Sequence, residues 1–244
     1  MNVKLLTAVA LGLLVGLPIS SAVAAKDYAN RLVSNDQNPR GLSYSEWAAR
    51  WWTWAVTAPA ENHPLLNDDE TSADDYCGVN QPGERNVFFL GGTFFGSGPE
   101  EPVVRTCEIK SGTALFFPLV NRAYFAFIED GETEEEARAQ VVCDAIPELF
   151  LQINDNVLDL DPTELFEESV VFEVVVPDDS FLGQLGLGGQ VLYPSVDEGH
   201  YAFLRPFWTP GEYTVIFEGD DGCGNVQRVT YNLIVTPGKS GKDD

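Results

Sequence analysis

Ser43-Tyr-Ser-Glu-Trp-Ala-Ala-Arg-Trp-Trp-Thr-Trp-Ala-Val-Thr-Ala58 carries four of the chain's five tryptophans. Ser43 and Glu46 have capping-box spacing, and Pro59 stops the run. Trp47, Trp51, Trp54 and Ala58 recur at i, i+4, i+7 and i+11, which places them on one face of a helix. A face this apolar must be covered, and what covers it decides the fold. The chain downstream reads as strands, so the helix is expected to lie on one face of a sheet. Core packing is assigned to Trp47, Trp51 and Trp54. Trp52 points about 100° away from Trp51 around the helix and is assigned to ligand contact.

Downstream of Pro59, residues 61–75 are polar and turn-rich and read as a loop before Cys77. Strand signals begin at Val87-Phe-Phe-Leu90 and continue in Thr93–Phe95 and Val103–Ile109. Thr113–Val120 is apolar on both faces, as a central strand is, with Pro118 weakening it or marking a bulge. A second helix is expected over Glu132 to Phe150, opened by Thr133 and Glu136 at capping-box spacing and ended by Pro147. After it come a hairpin around Asp155-Asn156 and a strand over Val170–Val176. A glycine-rich loop over Leu182–Gly189 follows, then strands at Gly199–Leu204, Gly211–Phe217 and Val226–Val235. The fold class implied is mainly β: an antiparallel β-sandwich, Ig-like or jelly-roll-like, with two decorating helices near 43–58 and 132–150.

Upstream, residues 1–25 read as a signal peptide: Lys4, an apolar run from Leu5 to Ile19, then small residues up to Ala25. The run is shorter than a bilayer-spanning helix requires and is interrupted by Gly12, Gly16 and Pro18. Residues 26–42 form an exposed lead-in, 43–236 a single sandwich domain and 237–244 a polar tail. Localisation is expected to be secreted, extracellular or periplasmic, with no transmembrane segment after signal removal.

Charge sets a further bound. A formal net charge of -24 repels nucleic acid and anionic lipid, so no nucleic-acid partner is expected. It suits either salty surroundings or bound calcium. The loop with Asn67, Asp68, Asp69, Glu70, Asp74 and Asp75 gathers hard oxygen ligands. The calcium assignment rests on Asp68, Asp69, Asp74 and Asp75, although the EF-hand alternation and its glycine are missing. Asp220, Asp221 and Asn225 form a weaker second cluster.

Four cysteines in an exported chain are expected to pair. Three connectivities are open. Cys77 with Cys107 and Cys143 with Cys223 is favoured, because the first pair brackets a compact strand-rich segment; closing it restricts the unfolded chain by roughly 3.5 kcal/mol. Zinc is disfavoured by the lack of any Cys-x-x-Cys and by the presence of only two histidines.

The order of these signatures resembles a group of uncharacterised exported bacterial proteins. They share a Trp-rich opening helix, a His-Pro-Leu segment, a Cys-to-Cys β unit, a Phe-Phe-Pro strand and a C-terminal sandwich hairpin. Here these are Trp47 to Trp54, His63-Pro-Leu65, Cys77 to Cys107 around Phe89-Leu-Gly-Gly-Thr93, Phe116-Phe-Pro118, and His200-Tyr201 with Pro210-Gly-Glu-Tyr-Thr214. The resemblance spans most of residues 41–236 and brings no established activity, so it transfers no catalytic residue.

No catalytic group assembles from the sequence. Gly96-Ser97-Gly98 lacks the Gly-x-Ser-x-Gly of a nucleophile elbow, and Glu198-Gly-His200 offers too few metal ligands. His63 and His200 are the only imidazole bases available. Glu173, Glu212 and Glu218 could pair as carboxylates, but strand acids of this kind commonly form the solvated face of a sheet. The function expected is an exported acidic binding or structural module for surface glycan or matrix. The alternative is a secreted polysaccharide hydrolase using a carboxylate pair.

Overall fold

The computed structural model describes residues 28–66, 76–83, 85–94, 96 and 102–238. The signal-like segment and Asp68, Asp69, Asp74 and Asp75 lie outside them. In chain order the strands are β1 Leu32–Val33, β2 Val87–Phe89, β3 Val103–Lys110, β4 Ala114–Phe127, β5 Glu148–Ile153 and β6 Asn156–Val157. They continue with β7 Phe166–Glu168, β8 Phe172–Val175, β9 Val191–Leu204, β10 Gly211–Asp220 and β11 Val226–Thr236. The helices are α1 Tyr44–Thr57, α2 Glu134–Arg138 and α3 Pro162–Leu165, with short helical turns besides.

Two sheets pack face to face as a sandwich, and α1 adds a third layer. In the first sheet β9 pairs with β4 along one edge, while β1, β7 and β8 tile its other edge in succession; β2 adds to β4. The second sheet runs β3-β11-β10-β5-β6. Most pairings are antiparallel; β2–β4 and β3–β11 are parallel.

Because side chains alternate along a strand, β4 and β9 serve two cores at once. Leu115, Phe117 and Leu119 of β4 and Ala202 and Leu204 of β9 meet Phe217, Tyr231 and Leu233 between the sheets. Phe116, Tyr201 and Phe203 point the other way, onto the tryptophans of α1. Such a pair is covered on both faces, which accounts for the unbroken apolar run around Phe116-Phe117. A register shift falls between Pro118 and Val120, where the proline sits. Gln227 covers the carbonyls exposed there, its Nε2 donating to Leu119 O at 2.6 Å and to Pro118 O at 3.3 Å.

The capping box at Ser43 forms as the spacing requires, and Trp47, Trp51 and Trp54 are buried. Each indole N–H is also tied down: Trp47 donates to Pro39 O, Trp51 to Leu90 O and Trp54 to Val79 O, all at 3.0 Å. The helix therefore pins three separate segments besides covering the sheet.

Several expectations change. The lead-in is not wholly exposed: Leu32–Val33 pairs with Phe203–Leu204 of β9, and Val33 and Leu42 are buried. The second helix forms its capping box at Thr133 but runs only from Glu134 to Arg138. Beyond it Val142 and Ile146 are exposed, so no apolar face sustains further turns, and residues 148–153 are drawn into the second sheet by pairing with β10. The hairpin turn falls one residue early, on Asn154-Asp155, with Asn154 taking the left-handed conformation (φ 52°) that asparagine tolerates.

Candidate functional site

β9 was expected over Gly199–Leu204 alone, but it starts at Val191. The added stretch carries Asp197 and Glu198, which are buried. Alternation sends these two carboxyls in opposite directions: Asp197 toward the tryptophan helix with Tyr201, and Glu198 with His200 toward the second sheet.

On the Glu198 side lies a cavity of about 550 Å³. Its floor is Val120 and Arg122 of β4 with Glu198 and His200 of β9. Its walls are Cys143 to Pro147, Pro162 and Thr163 of α3, Phe166 of β7, and Asp221 just after β10. Most of this lining is apolar. β4 and β9 approach closely because the residue between Glu198 and His200 is Gly199, where a Cβ would come within 2.4 Å of Asn121 Cβ.

Glu198 Oε1 accepts from the Cys143 N–H at 2.8 Å. Cys143 is itself fixed by its disulfide to Cys223, so the carboxyl has a rigid donor. Burial raises the Glu198 pKa, partly offset by that N–H and by Arg122. Burial likewise lowers His200, with Asp221 pulling the other way. Arg122 is committed to Asp221, Nη2 to Oδ2 at 2.5 Å and Nε at 3.2 Å. Asp221 also accepts from Cys223 N, Asn225 N and Asn225 Nδ2. Burial alone would raise its pKa, but these donors outweigh it and hold the carboxyl below its usual range. Thr163 Oγ1 donates to Asp161 Oδ1 at 2.7 Å and belongs to the cap of α3.

On the opposite face, Asp197 Oδ2 accepts from Trp52 Nε1 at 2.8 Å and from the Tyr201 hydroxyl, which in turn accepts from Asn121 Nδ2 at 2.9 Å. Asp197 Oδ1 is buried with no partner. Burial pushes the Asp197 pKa up to about 7 against the donated hydrogen bonds. A smaller, polar cavity of about 370 Å³ adjoins this face, lined by Trp52, Phe94, Asn121 and Gln227 among others.

The disulfides are Cys77–Cys107 and Cys143–Cys223, the favoured connectivity. Trp52, expected at a ligand, is buried like the other helix tryptophans; its indole N–H is spent on Asp197 and its ring lines the smaller cavity. His63 is fully buried: Nδ1 accepts from Leu65 N, so Nε2 carries the proton and donates to Ala55 O at 2.7 Å. Burial takes its pKa down to about 4. With both ring nitrogens engaged, it is structural. Glu173 and Glu212 are exposed on different sheets, and Glu218 pairs with Arg228 at 2.8 Å. Of the second acidic cluster, Asn225 Nδ2 donates to Asp221 Oδ2 at 2.6 Å. Cys143, Asp221 and Cys223 lie within 4.8 Å of one another, but both sulfurs are in the disulfide and neither is a thiolate ligand.

Asp197 and Arg122 belong to no local motif. The available signal was a pair of acids in line with the Gly-His-Tyr strand, at positions where a solvated strand would alternate. No known protein family, curated protein or solved structure matches the chain.

Proposed function

We propose that this protein is an exported binding module that takes a small, largely apolar ligand into the cavity between the ends of its sheets. The observation that carries the reading is the cavity itself: about 550 Å³, apolar walls, and a polar floor of Glu198, His200 and Arg122. Ligand sites commonly have this volume and this division between lining and orienting groups. Two disulfides support an extracytoplasmic setting. Among the described residues no helix is long and apolar enough to cross a membrane. The glycan or matrix partner suggested by the sequence narrows to a small molecule, since the tryptophans of α1 are buried in the core and the cavity is the enclosed site.

The polysaccharide hydrolase is less well supported. Two carboxylates do line the cavity, but Asp221 is saturated by Arg122 and its own turn, leaving Glu198 without a second free acid.

Amide spectra of the isotope-labelled protein, titrated with six-carbon fragments bearing one polar group, test the reading. Shifts are expected at residues 120–122, 143–147 and 198–200. Ile146→Trp, at a cavity-lining position whose side chain is 89% exposed, is expected to weaken them without unfolding the chain. Turnover of a polysaccharide abolished by Glu198→Gln would instead establish the hydrolase.

A further inference from the structure

We infer that the ligand of this cavity is an organic cation, an amine with an apolar body, whose charged end is held by Glu198; the inference rests on the small-ligand reading above. Glu198 is 8% exposed and lines the cavity. It accepts one hydrogen bond, at Oε1 from Cys143 N–H, and no described residue donates to Oε2. Oε2 is open to the cavity rather than sealed among protein atoms, so a ligand can reach it. The missing partner is a donor, and a cationic donor serves it best.

The surrounding charges agree. Among the described residues lining the cavity Arg122 is the one cation, and it is already neutralised by Asp221 at 2.5 Å. The other charges acting on Glu198 are acidic, Glu168 and Asp144. His200, whose pKa burial lowers, adds no charge at neutral pH. With Arg122 and Asp221 cancelling, the floor keeps the charge of Glu198. The net charge of -24 draws cations toward it from outside and repels carboxylates and phosphates. The apolar lining sets the rest of the ligand: Val120, Ile146, Pro147, Pro162 and Phe166 accept an aliphatic or aromatic body.

Calorimetry with three probes of equal length, hexylamine, hexanol and hexanoate, tests this on the wild type, on Glu198→Gln and on Ile146→Trp. Hexylamine is expected to bind at least tenfold tighter than hexanol, and hexanoate weakest. In Glu198→Gln, which keeps an acceptor for the Cys143 N–H, the preference for hexylamine over hexanol should vanish. Ile146→Trp should weaken all three. Equal binding of hexylamine and hexanol to the wild type would overturn the cation inference and leave the small-ligand reading standing. A hexylamine preference that survives Glu198→Gln would overturn it as well. If no probe binds, both readings fall. Near-ultraviolet circular dichroism of each variant establishes that the fold is retained.

Discussion

Asp197 and Glu198 are neighbours in sequence and opposites in circumstance. Glu198 borders a cavity, whereas Asp197 is sealed in a core where its Oδ2 takes two donors and its Oδ1 none. A carboxyl in that setting is more stable protonated. Its folded pKa, about 7, lies above the unfolded value of 3.8. The folded state therefore binds the proton more tightly, so the stabilisation from Asp197 is complete below about pH 4 and is lost as pH rises through 7. Across that window each pH unit costs the wild type up to about 1.4 kcal/mol that Asp197→Asn does not lose. Urea midpoints at pH 5 and pH 8 are expected to converge for Asp197→Asn and to separate for the wild type. Equal separation in both proteins would mean the carboxyl is ionised in the fold. Trp52 reports the same event optically, because its indole N–H donates to this carboxyl.

At the scale of elements, what the sequence showed clearly was local. The Ser43 box, the tryptophan spacing and the proline at the β4 irregularity are each contained in a few residues, and each reappears in the fold. What it hid was long-range. The amphipathic signal after Glu136 was too short to sustain a helix, and pairing with β10 claimed Glu148–Ile153. The first half of β9 is hard to read because Ser195, Asp197 and Glu198 are polar yet buried, so composition there resembles a loop. The Glu198 site combines β9, β4, the 143–147 segment, α3, β7 and the turn after β10, whose proximity no local pattern encodes. Trp52 illustrates the limit: angular position on the helix set it apart from Trp51, but Phe94 and Phe125 enclose it. Trp52→Ala is accordingly expected to destabilise as much as Trp51→Ala, by about 3–5 kcal/mol, in chemical denaturation. A loss below about 1 kcal/mol for Trp52→Ala alone would restore the separate role the sequence suggested.

Over the whole molecule, the two disulfides do different work. Cys77–Cys107 closes 30 residues and Cys143–Cys223 closes 80, so the second constrains the unfolded chain more, by roughly 4.5 kcal/mol in the entropy model. It also holds the cavity wall against the β10–β11 turn. Replacing Cys143 and Cys223 together with alanine is expected to lower the melting temperature and to weaken hexylamine binding. The corresponding Cys77 and Cys107 variant should lower the melting temperature and leave binding nearly unchanged, since neither residue lines the larger cavity. Equal loss of binding in both would show that the wall depends on overall stability alone.

β11 lies between β3 and β10, although it is the last of the described strands. Its parallel partner β3 is separated from it by well over half of the described sequence. The second sheet is thus closed at an interior position by the last described strand to emerge during synthesis. Until then β3 and β10 present open edges, the kind that recruit strands from other chains. A nascent chain that stops short of β11 therefore carries two separate unpaired strand edges rather than a smaller sheet.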